Sequence, residues 1–92
     1  MNDKQQTFLS SIIEFVKNYS FSGDCNEYLD KLINLHILEA EGKNEIAEEL
    51  RNEMDQLWKK LTEQEVEYVR EASGWLNSKT ESFQSLFGKQ SP

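Results

Sequence analysis

Apolar side chains recur at spacings of three and four residues along most of the chain, as they do in amphipathic α-helices. The first such stripe predicts a helix over about residues 4–19. Its apolar positions are Phe8, Leu9, Ile12, Ile13, Phe15, Val16 and Tyr19. The period-two alternation of β-branched residues that marks a half-buried strand covers no useful length of the sequence. We therefore expect helix throughout.

The second stripe predicts a helix over about residues 24–41, with Asp24 as its N-cap and Glu27 completing a capping-box-like pair. Its main apolar line consists of Cys25, Leu29, Leu32, His36 and Ala40. Ile37 and Leu38 lie off that line, and a helix that is apolar on more than one side is usually central in a bundle or lies at a subunit interface. We expect this helix to be the most buried, and a homodimer through it is a further hypothesis.

A turn at Gly42 leads into a third predicted helix, for which Asn44 is the expected N-cap. The apolar side of this helix consists of Ile46, Ala47, Leu50, Met54, Leu57, Trp58 and Leu61. Thr62 and Glu65 have the spacing of a capping box, in which each side chain bonds the backbone N–H of the other residue. This box predicts the end of the third helix and the start of a fourth.

The fourth predicted helix carries Val66, Val69, Ala72, Ser73 and Leu76 on one face. Gly74 lies inside this pattern at a cost of about 1 kcal/mol in helix propensity, so we expect a close helix contact there. Ser78 and Glu81 form a second candidate capping box, which predicts a short final helix that ends at Gly88. That helix contains Phe83, Leu86 and Phe87.

These elements predict an all-α fold, namely a compact bundle of four antiparallel helices plus a short C-terminal fifth helix. Short connections favour antiparallel neighbours, and the single proline, Pro92, interrupts none of the helices. A chain of 92 residues has room for one domain. We assign residues 1–88 to a single helical-bundle domain and residues 89–92 to a flexible tail.

Side chains that could carry out catalysis are scarce. The single cysteine, Cys25, and the single histidine, His36, lie about 16 Å apart along one predicted helix, too far for a nucleophile–base pair. We interpret His36 as a core or helix-interface histidine and Cys25 as a small buried side chain, with a reactive thiol as the alternative. Ile33 stands where a bundle di-iron site has glutamate. We therefore expect no catalytic, cofactor-binding or metal-binding residues and no enzymatic activity.

Charge restricts the class of partner. Seventeen acidic residues against ten basic ones give a net charge of −7, which argues against binding to nucleic acid or to anionic membranes. No apolar run is long enough to span a bilayer, and the first residues lack the basic and apolar regions of a signal peptide. We therefore expect a cytoplasmic protein.

The negative charge is concentrated in residues 39–67, which contain ten acidic and four basic side chains. Two helix faces repeat glutamate every four residues: the 45–53 column consists of Glu45, Glu49 and Glu53, and the 63–71 column consists of Glu63, Glu67 and Glu71. Like charges at this spacing destabilise a helix slightly. The columns are either solvated faces or a surface that steers a basic protein partner toward the chain.

Two aromatic residues of the fourth predicted helix, Tyr68 and Trp75, lie at the edge of its apolar stripe. Either the final helix folds back through Phe83 and Phe87 and covers them, or they form an exposed pair in an interface, where such residues are favoured anchors. The candidate partner-binding residues are therefore the two acidic columns together with Tyr68 and Trp75.

Residues 40–65 resemble a pattern in small uncharacterised bacterial helical proteins. The shared features are a glycine turn, an Ala-x-x-Leu-Arg run, a Met-Asp-x-x-Trp stretch and a threonine-capped acidic helix, which here are Gly42, residues 47–51, residues 54–58 and Thr62. The resemblance implies a bacterial origin and a helical fold, and it brings no activity with it. In size, acidity and helix number the chain is also similar to the immunity proteins that neutralise colicin-type DNases, a likeness of architecture alone.

From these observations we expect a non-catalytic, acidic protein-binding or regulatory module that recognises a basic protein partner through the third and fourth helices. One alternative is an immunity or inhibitor protein that masks the cationic surface of a nuclease. Another is a structural homo-oligomer subunit.

Overall fold

The computed structural model describes residues 2–17 and 22–88, and within these residues it contains five α-helices and no strand. The helices are α1 (Asp3–Val16), α2 (Gly23–Glu41), α3 (Asn44–Trp58), α4 (Glu63–Asn77) and α5 (Thr80–Phe87). The all-α class, with four longer helices and a short fifth, is confirmed. Tyr19 and the tail of residues 89–92 lie outside the described residues.

Side-chain caps set the starts of α1 and α2. Asn2 and Gln5 form a reciprocal capping box, in which each side-chain oxygen accepts the backbone N–H of the other residue. At α2 the N-cap is Ser22 and not Asp24, since Ser22 Oγ accepts the backbone N–H of Cys25 at 3.2 Å. Asp24 lies instead in the first turn of α2, where its charge interacts favourably with the helix dipole.

The turn between α2 and α3 depends on Gly42, which adopts a left-handed conformation with φ of 75°. The backbone N–H of Gly42 bonds the carbonyl of Glu39, and that of Lys43 bonds the carbonyl of Leu38 at 2.9 Å, which is the Schellman arrangement. Asn44 is the first residue of α3 and not its cap, because the N-cap position is Lys43, which makes no side-chain cap bond.

The two predicted capping boxes have different outcomes. Thr62 and Glu65 form a complete box at the start of α4, as predicted. The box predicted for Ser78 and Glu81 is wrong, because Ser78 is the C-cap of α4. Its hydroxyl donates a hydrogen bond to the carbonyl of Trp75 at 2.5 Å. Ser78 therefore caps the C-terminus of α4 and not the N-terminus of α5.

The core forms around α2, which packs against α3, α4 and α5, while α1 packs against α5. More buried side chains come from α2 than from any other described helix, as the sequence predicted. The core consists of Ile12, Val16, Cys25, Leu29, Leu32, Ile33, Ala40, Met54, Val69, Ala72, Leu76, Phe83 and Phe87. Removal of these apolar side chains from water is the main force that holds the helices together.

Four positions differ from the predicted packing. Three residues of the predicted apolar stripes are exposed, Phe15 by 56%, Ile46 by 52% and Ile13 by 44%, because the stripes are wider than the surface that neighbouring helices cover. Gly74 is also exposed, and a Cβ atom there would meet nothing within 4 Å. The close helix contact predicted at Gly74 is therefore wrong.

Candidate functional site

The helices α2 and α3 form a hairpin. Tyr28, early in α2, packs against Trp58 at the end of α3, with ring centroids 5.6 Å apart. Near the other end of α2, Glu39 accepts a 2.7 Å hydrogen bond from Arg51. The two helices therefore run in opposite directions from the turn at Gly42. The antiparallel order of the remaining helices stays a prediction.

An open groove of about 300 Å³ runs between these two helices. It is lined by Asn34, Ile37, Leu38, Ile46, Glu49, Leu50 and Glu53, and we name it the α2–α3 groove. The sequence placed Ile37 and Leu38 off the main apolar line of α2, and both are half-buried here. Because α3 covers them only in part, an apolar floor stays open to solvent.

The 45–53 column lies along this groove. All three glutamates are exposed, and two of them, Glu49 and Glu53, line the groove itself. Glu53 Oε2 lies 3.7 Å from Lys31 Nζ, a long ion pair, whereas Glu45 and Glu49 form no ion pair within the described residues. The rim of the groove on the α3 side is therefore negatively charged and mostly uncompensated.

The one basic residue of α3, Arg51, does not neutralise this rim. Its guanidinium bonds Glu39 at 2.7 Å and Glu48 at 3.1 Å, and neither of those carboxylates lines the groove. The cation of α3 is thus already shared between two acidic partners.

The 63–71 column is a second surface. Its three glutamates are exposed along α4. However, α4 packs against α2 and contacts α1 through its aromatic residues, whereas the main neighbour of α3 is α2. We therefore treat the two columns as separate surfaces, of which only the 45–53 column borders the α2–α3 groove.

The aromatic candidates, Tyr68 and Trp75, are both half-buried and both contact α1. Trp75 stacks on Phe15 with centroids 4.1 Å apart and planes 15° apart, and Lys79 Nζ lies 5.4 Å from the centre of the Trp75 ring. The Tyr68 hydroxyl donates a hydrogen bond to the carbonyl of Val16. Helix α1 thus supplies contacts that the first of the two alternatives had given to α5. The exposed Phe15 ring is part of a surface patch that the sequence analysis did not identify.

A buried carboxylate joins the starts of α2 and α4. Glu65 is only 4% exposed. Its Oε2 accepts the backbone N–H of Ser22 at 3.1 Å and the hydroxyl of Ser22 at 2.6 Å, while its Oε1 accepts the backbone N–H of Thr62 at 3.0 Å. These hydrogen bonds, led by the Ser22 hydroxyl, lower the pKa of Glu65 to about 2. Glu65 is therefore a structural anion in this fold.

The sequence analysis identified Glu65 only as part of a capping box. A further signal was present, because Glu65 lies in line with three apolar residues of α4 at 4-3-4 spacing. Those residues, Val69, Ala72 and Leu76, are all buried. An acid in such a line is a candidate buried carboxylate.

The two side chains considered for catalysis, Cys25 and His36, differ in burial. Cys25 is fully buried, and its pKa is raised to about 11, first by burial and then by the neighbouring Glu65 carboxylate. Because only a thiolate is nucleophilic, this environment disfavours the reactive-thiol alternative. His36 is half-buried and stacks on Phe83 with centroids 5.2 Å apart. Burial lowers the pKa of His36, so the ring is mostly neutral at pH 7.

The described residues contain no group of three or more His, Cys, Asp or Glu side chains placed to hold a metal ion. None of the described helices has both the length and the apolar character needed to cross a bilayer. A comparison of the chain with protein-family models, with curated proteins and with solved structures gives no match.

Proposed function

We propose that this chain is a non-catalytic, acidic module that binds a basic protein partner, with the 45–53 column as the main contact and the 63–71 column as a secondary one. The observation that carries the proposal is the pair formed by Glu45 and Glu49, which are exposed and form no ion pair within the described residues. Both are on the helix that borders an open apolar groove. An apolar patch with a polar rim is the usual arrangement of a protein interface.

The electrostatics of this face support the proposal. Three glutamates on one helix face repel one another by a few tenths of a kcal/mol per pair. A basic partner would remove that repulsion, and the long-range field would accelerate its association. The 52% exposure of Ile46 adds apolar surface at the same place.

A homodimer through α2 uses the same residues but is less favourable. In a two-fold symmetric interface each surface meets its own copy. Contact through Ile37 and Leu38 would bring the rim of one groove, with Glu49 and Glu53, close to the same rim of the second chain. Like charges brought together at an interface oppose association.

Affinity capture from the cells that produce the protein tests the proposal. The bait is the wild-type chain, a variant with the whole 45–53 column changed to glutamine, or a variant with the whole 63–71 column changed to glutamine. The matched control is Glu14→Gln/Glu27→Gln/Glu81→Gln, which also removes three negative charges, but from exposed positions outside both columns. Captured proteins are quantified at low and at high salt.

We expect a basic protein that is captured by the wild-type chain and by the control at low salt, is released by salt, and is lost from the 45–53 variant. A partner retained equally by all four baits would contradict the proposal, as would a partner that is not basic. Circular dichroism of each bait shows that the substitutions leave the helices intact.

A further inference from the structure

We infer that the α2–α3 groove receives the apolar face of an amphipathic helix whose neighbouring positions carry lysine or arginine. The inference rests on the proposed function and specifies the form of the basic partner. The groove supplies apolar contacts from Ile37, Leu38, Ile46 and Leu50. The 45–53 column supplies negative charge along one side of the same groove.

The surface of the α2–α3 hairpin cannot bind a partner strand through backbone hydrogen bonds. A partner strand binds by adding hydrogen bonds to an exposed sheet edge, and the described residues contain no strand. Within α2 and α3 the backbone groups are used inside each helix. Affinity at this groove must therefore come from side chains.

The dimensions match a short length of helix. From Ile46 to Glu53 the groove extends about 10 Å along α3, at about 1.5 Å per residue. That length corresponds to about two turns of a partner helix, which presents apolar anchors at i, i+3 or i+4, and i+7. The volume of about 300 Å³ is at the lower limit of small-molecule pockets, and because the groove is open it suits a row of side chains better than an enclosed ligand.

The spacing of the glutamates indicates where the partner helix carries its basic residues. The 45–53 column spans about 12 Å, with one carboxylate per turn of α3. In a partner helix that lies along the groove, residues four positions apart lie on one face and are separated by nearly the same distance as successive glutamates of the column. Lysine or arginine at two or three such positions, on the flank that faces α3, would meet Glu45, Glu49 and Glu53 in turn. A second copy of this acidic chain lacks that complementarity.

A display library tests this inference. It contains helical peptides of about 15 residues, each with an apolar stripe at helical spacing and lysine or arginine beside it. The comparison library has the same composition in scrambled order, so that charge is retained and the apolar stripe is lost. Both are selected against the full-length wild-type chain, and dissociation constants and amide chemical shifts are then measured for the enriched peptides.

Two isoleucine variants provide a matched pair. Ile46→Ser changes an exposed isoleucine in the groove, and Ile13→Ser changes an exposed isoleucine on α1. We expect Ile46→Ser to weaken an enriched amphipathic peptide at least about tenfold, since truncation of an anchor commonly has this effect. Ile13→Ser should leave its affinity unchanged. Glu45→Gln/Glu49→Gln should also weaken binding, and more strongly at low salt.

Several outcomes would overturn the inference. Scrambled peptides that bind as tightly as amphipathic ones would show recognition by charge alone, and the proposed function would then stand without the groove. An amphipathic library that yields no binder, or binders whose shifts map away from Ile46 and Leu38, would also refute it. Sedimentation that shows a dimer dissociated by Ile46→Ser would assign the groove to a second copy of the chain.

Discussion

The substitution Glu65→Gln tests how far one buried carboxylate holds the starts of two helices together. Ser22 and Thr62 are the N-caps of α2 and α4, and both donate hydrogen bonds to Glu65. Glutamine keeps the shape of the side chain and one oxygen acceptor. Its NH₂ group replaces the second acceptor and faces a donor, so at least one of the three hydrogen bonds is lost.

The shift of the Glu65 pKa sets the magnitude. A fall from 4.5 to about 2 corresponds to about 3 kcal/mol of stabilisation of the charged form, at about 1.4 kcal/mol per pKa unit. The oxygen acceptor that remains in the amide reduces this value, so we expect Glu65→Gln to lower the free energy of unfolding by about 2 kcal/mol. Glu63→Gln, an exposed position in the same helix turn, should change it by less than about 0.5 kcal/mol.

The effect of Glu65→Gln should depend on pH with a definite sign. Because folding depresses the pKa of Glu65, its stabilisation is fully present above the unfolded pKa of about 4.5 and is lost as pH falls toward about 2. Urea unfolding of both chains from pH 7 to pH 2 measures this difference. A difference that stays constant over that range, or that is below about 0.5 kcal/mol at pH 7, would refute the assigned role.

Three substitutions and one labelling reaction test other parts of the fold. Gly74→Ala should stabilise the domain by about 1 kcal/mol, because the position is helical and open. Gly88→Ala should destabilise the domain, because a Cβ atom there collides with the backbone carbonyl of Gln84. Thermal melts compare the two variants. Leu32→Asp should abolish cooperative unfolding by placing a charge in the core, and a folded, cooperative variant would contradict the packing around α2. Cys25 should react at pH 8 about 100-fold more slowly than a thiol with the unperturbed pKa of 9.0, and urea should remove the protection; rapid labelling of the native chain would show that Cys25 is accessible.

The sequence predicted the elements of this fold better than their ends. Apolar periodicity located all five described helices, and the box at Thr62 and Glu65 is present as predicted. The wrong assignments at Asp24 and Ser78 have a common cause. Several residues near each helix end could act as caps, and which one does so depends on where the chain turns in three dimensions.

Burial was less predictable than helicity, because it depends on which helices become neighbours. Periodicity grouped Phe15 and Ile46 with the core, but more than half of each side chain is exposed. For the candidate site, the sequence supplied the 45–53 column and indicated that Ile37 and Leu38 were unusual. It could not show that these features meet at one groove, since that relation follows from the rotation of α3 about its axis against α2.

The most direct test of the proposed function is the salt dependence of the association rate constant between the chain and its captured basic partner. From about 0.01 M to about 1 M salt the screening length falls from roughly 30 Å to roughly 3 Å. We expect the rate constant of the wild-type chain, and of Glu14→Gln/Glu27→Gln/Glu81→Gln, to fall steeply over this range. The variant with the 45–53 column changed to glutamine should start lower and fall less. Identical salt dependence in all three chains would contradict recognition of a basic partner through this column.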